Sequence, residues 1–161
     1  DEGRALVIVV NKWDTVSDHK EALNRLHDRI EKSLPQVRGI PVATLSAKQG
    51  RNLDRMLDHV LSVYEVWNRR VPTSRLNEWL EVMTEAHPPP LARGRRIKLR
   101  YMTQAKSRPP TFAVFCSQPD ELPDAYTRYL INGLREDFDL WGIPLRLNLR
   151  KGKNPFAPKS K

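Results

Sequence analysis

One cysteine, Cys116, stands in 161 residues. No disulfide can form within such a chain, and a reducing compartment is the expected setting. No apolar run approaches the roughly 18 residues that span a bilayer, and the opening DEGR is polar and acidic, which reads as no secretory leader. The four histidines, His19, His27, His59 and His87, are scattered without metal-ligand spacing, so no metal is expected. A GxxxxGK[ST] run is also missing, so no loop here is built to wrap a nucleotide's phosphates. What remains is 39% apolar and 29% charged residues, values of a globular chain long enough to bury a core. The expectation is a cytoplasmic protein that does not enter a membrane.

Acidic residues are scarce in particular places. Residues 1–72 hold 12 Lys+Arg against 10 Asp+Glu, whereas residues 73–161 hold 16 against 9. Arg93 to Arg108 carries seven cations and no acid, and Arg146 to Lys161 carries six and no acid. Runs of this kind suit a polyanionic partner, although a basic face is often only a solvated face.

The first half alternates strand and helix. Ala5–Val10 is a continuous apolar run, as expected of a parallel strand covered on both faces. A helix follows over 18–34, capped by Asp18 and closed by Pro35. GIPVATL (39–45) reads as a second buried strand, and a helix over 52–70 shows an apolar stripe of Leu53, Met56, Leu57, Val60, Leu61, Tyr64 and Trp67. This β-α-β-α order is that of a doubly wound sheet, here with too few strands. Val71-Pro72 ends the helix, and the second half reads α-β-β-α-β: helix from 73 to before His87, strands at 96–104 and 111–117, helix 124–138, strand 143–149. The triple proline 88–90 reads as a stiff connector.

The stretch VIVVNKWD ends a strand with an amide, an ammonium and a carboxylate. Ligands of doubly wound sheets bind at the carboxyl ends of strands. Asp14 there can accept two N–H bonds from the ring N–H and exocyclic amine of guanine, an edge on which adenine offers an acceptor instead. Asn11 can serve an acceptor on the other side of the base and tie adjacent loops, Lys12 can lay its stem over the ring, and Trp13 can flank the slot. The next strand ends in Ser46-Ala47-Lys48, where small residues let a backbone N–H approach the base carbonyl and Lys48 can cover the opposite face.

The pair NKxD and SAK resembles the fourth and fifth motifs of Ras-like, P-loop GTPases. GRRIKLRYMTQ, RPPTFAVFC, RYLINGLRE and LRKGKNPF resemble the C-terminal region of the EngA (Der) family, bacterial GTPases with two tandem G domains, and WNRRVPTSRLNEWL resembles the family's domain junction. The resemblance covers essentially the whole chain. It implies an α/β fold, a truncated Rossmann-like GTPase sheet over 1–70, then an α+β KH-like domain over 73–150 and a basic flexible tail over 151–161. It further implies binding of GTP and GDP in an intact parent that hydrolyses GTP, with the Mg2+ ligands, phosphate loop and switches outside these residues, so that this chain alone is expected to be inactive. The implied partners are the large (50S) ribosomal subunit and its RNA, and the missing G domains, in the cytoplasm on ribosomes. A stand-alone RNA-binding or interaction module is the alternative reading.

A KH domain grips a nucleic-acid backbone with a GXXG loop. Between the 111–117 strand and the next helix this chain has QPDELPD, with three acids and no glycine, where a phosphate is repelled. The RNA-contact candidates are instead Arg93, Arg95, Arg96, Lys98, Arg100, Lys106 and Arg108, or the tail lysines. Cys116, within an apolar strand, reads as a core residue, and the acids Glu136, Asp137 and Asp139 as a solvated patch.

Overall fold

In the computed structural model, which describes residues 3–152, the apolar run before NKWD forms β1 (Ile8–Val10). It pairs in parallel with β2 (Val42–Thr44), Val9 opposite Ala43. Between them runs α1 (His19–Ser33), begun by the Asp18 carboxylate accepting from the Glu21 N–H at 2.9 Å. After β2 comes α2 (Leu53–Asn68). Val37, Ile40, Ala43, Leu45 and Val63 make a small core.

The expectation of a strand covered on both faces is not met. Val9 is 43% exposed, α1 buries no side chain fully, and of the α2 stripe Leu57, Val60, Leu61 and Tyr64 are 45–62% exposed while Met56 and Trp67 are half-buried. Among the described residues β1 pairs with β2 alone. Periodicity therefore names the face a helix offers for burial, and the described residues of this unit cover only part of it.

The division of the chain also differs from a single break near residue 70. The first compact unit runs to Asn68 and takes in Leu140–Pro144, while the second holds Arg69–Asp139 and the chain from Leu145 on. Ile143, expected to open the last strand, is instead fully buried in the first unit, as is Leu140. The Gly142 N–H donates to the Arg38 carbonyl at 2.7 Å. Gly142 has φ +74, and a Cβ there would stand 3.0 Å from both the Gly39 carbonyl oxygen and Pro41 Cδ. Only glycine fits that approach without strain.

The second unit begins with α3 (Thr73–Ala86). A two-residue hairpin follows, β3 (Leu91–Ala92) and β4 (Arg95–Arg96), turned by Arg93 (φ 50) and Gly94 (φ 74). Two successive positive φ angles are the signature of the tight turn that matches strand twist. Then come β5 (Leu99–Lys106), β6 (Thr111–Cys116), α4 (Asp124–Asp137) and β7 (Arg146–Lys151). The sheet order is β5-β6-β7, the first pair antiparallel and the second parallel. Leu76, Met102, Phe112, Val114, Leu130 and Leu134 are fully buried between sheet and helices, together with Cys116.

The outer edge of β5 is covered by side chains. Asn77 of α3 accepts from the Met102 N–H at 2.9 Å and donates to the Met102 carbonyl at 3.0 Å, replacing a neighbouring strand. Gln104 accepts from the Val71 N–H at 2.8 Å and donates to the carbonyls of Arg69 at 3.0 Å and Lys106 at 3.3 Å. These bonds satisfy the backbone entering α3, which would otherwise leave buried polar groups unpaired.

Candidate functional site

The parallel pairing of β1 and β2 brings the ends of the two strands side by side, and the pairing continues past them. The Leu45 N–H donates to the Val10 carbonyl at 2.9 Å and the Trp13 N–H to the Leu45 carbonyl at 3.0 Å. NKWD and SAK, 35 residues apart, therefore lie next to each other. Asn11 Oδ1 accepts from the Lys12 N–H at 2.8 Å and from the Ala47 N–H at 3.0 Å. This oxygen ties the two loops together, as expected, and it occupies the Ala47 N–H.

Lys12 sits in the left-handed region (φ 58, ψ 32), and its carbonyl accepts from both the N–H and the hydroxyl of Thr15, closing a 3-10 turn over Trp13–Thr15. A left-handed lysine is uncommon and marks a locally determined backbone. The Trp13 ring stacks on His19 at 4.8 Å and 16° between planes, while His19 Nε2 lies 3.2 Å from the Trp13 carbonyl. Trp13 is thus a brace between the turn and the start of α1.

Asp14 is exposed, and its Oδ2 accepts from Gln49 Nε2 at 3.3 Å. Gln49 escaped the sequence reading, although it directly follows SAK. It presents the carboxylate with a primary amide N–H, the same donor type as a guanine exocyclic amine. Ser46 is buried and its backbone pairs both ways with Arg51 across the turn, leaving Ala47 and Lys48 exposed at its tip. Among the described residues no group of three His, Cys, Asp or Glu could hold a metal, and no helix is long and apolar enough to cross a membrane.

In the second unit the seven candidate cations separate. Arg93 Nη2 bonds Glu121 Oε1 at 2.8 Å, so it is engaged with the acidic loop that replaces a GXXG. Arg95, Arg96, Lys98 and Arg100 line one open groove of about 460 Å³ with Ser117 and Gln118. Lys106 closes the far end of β5, and Arg108 lies in the following turn.

Residues 70–150 match the family model described as the KH-domain-like, C-terminal part of EngA bacterial GTPase enzymes. The chain belongs to the EngA family. It is 59% identical over 162 residues to the GTPase Der of Dinoroseobacter shibae, covering 99% of this chain and 33% of that protein. Similar figures hold for GTPase Der of Ruegeria sp. strain TM1040 (57%; 99% and 33%) and of Cereibacter sphaeroides strain ATCC 17029 (57%; 98% and 33%). The chain thus spans about a third of the length of these EngA relatives, and its fold is α/β with most of the KH-like part in the second unit.

Proposed function

We propose that the first unit is the guanine-recognition part of a GTPase and that the second docks the protein on RNA of the large ribosomal subunit during its assembly, in the cytoplasm. The reading is carried by one observation: Asn11 Oδ1 bridging the two loops at the paired strand ends, with Asp14 at the rim. In this reading Asp14 takes the two N–H groups of guanine, releasing Gln49, and Lys12 and Lys48 cover the ring faces. Asn11 holds the loops in register and offers its amide N–H to the base, and Ser46 and Ala47 keep the wall beside it low. The chemistry of GTP hydrolysis needs positioned phosphates, metal and water, which these residues do not supply; their share of the work is selection of the base.

The test uses the full-length family protein that carries this segment. Asp14→Ala removes two charge-assisted bonds of roughly 1.5–3 kcal/mol each and is expected to weaken GDP binding by a few kcal/mol. Asp14→Asn is expected to weaken GTP and improve xanthosine nucleotides, whose oxygen replaces the guanine amine. Unchanged GDP affinity by calorimetry in both variants would refute the assignment.

A further inference from the structure

Burial alternates along the segment from β4 into β5. Arg96, Lys98 and Arg100 are exposed, while Ile97 between them is 1% exposed and Leu99 is half-buried. The Ile97 N–H donates to Pro90, the Lys98 N–H to the Ser117 hydroxyl and the Ser117 N–H to the Lys98 carbonyl. These bonds tie the link between β4 and β5 to Pro90 and Ser117, and the burial of its side chains alternates along it. The register shift between Leu99 and Tyr101 puts a bulge at Arg100, and bulges of this kind re-aim a side chain. The outcome is a row of exposed cations, Arg96, Lys98 and Arg100, at every second position.

Two grooves flank the row. One is the 460 Å³ groove, to which Arg95 adds a fourth cation. The other, about 430 Å³, has Pro88, Pro89, Ile97 and Leu99 in its wall and Glu85 as its one acid. A charged rail therefore runs beside an apolar wall.

We infer that this row is a track for the backbone of an unpaired RNA strand, with phosphates on Arg96, Lys98 and Arg100 and bases turned to the Pro88–Pro89 wall. The inference rests on the RNA-docking reading above and narrows it to one strand form and one register. In a duplex the phosphates of each strand follow a helical path that winds away from a straight rail, and the partner strand holds the bases inside the stack. An unstacked strand can be drawn out to meet one cation per phosphate; proteins that bind single strands combine such a groove with aromatic platforms for the bases, and here the apolar faces of Pro88, Pro89 and Leu99 stand in that place. Arg93 is outside the track because Glu121 holds it.

The experiment titrates the chain with a short labelled oligouridine and with an RNA duplex of equal length, at 50 and 200 mM salt. The slope counts only the phosphates that the chain contacts, and contacts outside the row set a background, so the readout is the change made by each substitution. Each of Arg96→Gln, Lys98→Gln and Arg100→Gln is expected to lower the single-strand slope by about 0.7, one phosphate's share. Arg96→Lys should keep the slope. Lys106→Gln, an equal loss of charge about 20 Å further along β5, should change it little. Thermal unfolding of each variant checks that the fold is retained. A duplex that binds as tightly as the strand, or a Lys106→Gln effect equal to those of the row, overturns the track while leaving RNA docking standing. Polyglutamate that competes as well as RNA would point to an acidic protein partner instead. Absence of RNA binding at either salt overturns both the track and the docking reading.

Discussion

Gln104→Met is the most informative perturbation of the second unit. Methionine keeps the length and flexibility of glutamine, so packing changes little, but three hydrogen bonds vanish. The Val71 N–H, buried with Gln104 itself 6% exposed, loses its acceptor. An unsatisfied buried donor costs about 1–3 kcal/mol. The Arg69 carbonyl loses a donor as well, while Lys106, exposed at the strand end, can turn to water. The expected destabilisation is therefore about 2–4 kcal/mol, within the range of the larger single-residue effects. Denaturant unfolding followed by far-UV dichroism measures the total, and amide exchange locates it: Val71 should lose protection while Val114, at the centre of the sheet, follows only the global change. A Val71 amide that stays protected, with stability shifted by less than 0.5 kcal/mol, would refute the role given to this side chain.

Gly142→Ala should destabilise the first unit by about 2–4 kcal/mol, from left-handed strain and two rigid backbone-side contacts at 3.0 Å; exchange at 42–45 should accelerate while β6 stays unchanged. Alkaline titration should find Tyr126 ionising late. Burial, and secondarily Tyr129 nearby, pushes its hydroxyl up to about 12, and that hydroxyl donates to the His87 carbonyl at 2.7 Å. The unfolded chain loses this proton near pH 10, so the contribution to stability is complete below that and disappears as pH rises from 10 to 12. Ultraviolet difference spectra that show all four tyrosines ionising together near pH 10 in the folded state would contradict this.

Much of the candidate site could be read without coordinates because it depends on local chemistry. A parallel pairing of adjacent strands necessarily sets NKWD beside SAK, and Asp18 with Pro35 bounded α1 closely. Long-range partners were not legible. Nothing local says that Arg93 meets Glu121, 28 residues on, or that Gln49 reaches Asp14. The β3–β4 hairpin is too short for periodicity to register, and Arg93-Gly94 was its only signal. Ile143 alternates with Leu145 and Leu147 as a strand would, yet a glycine at 142 that only a close backbone approach explains takes it elsewhere. Burial of the α2 stripe was incomplete for a different reason: amphipathicity predicts affinity for a partner surface, and the described residues of the first unit supply only part of one.

Leu140–Pro144 also sets an order of events during synthesis. The first unit has its strands and helices by Asn68, but it lacks the Leu140–Pro144 segment until 76 further residues have been made. At translation rates of about 5–20 residues per second, that is a wait of about 4–15 s. Throughout it, the surface of Gly39, Pro41 and Val63 that later receives Gly142 stands open on a growing chain. A gene cut at the apparent boundary near residue 70 would make that temporary state permanent.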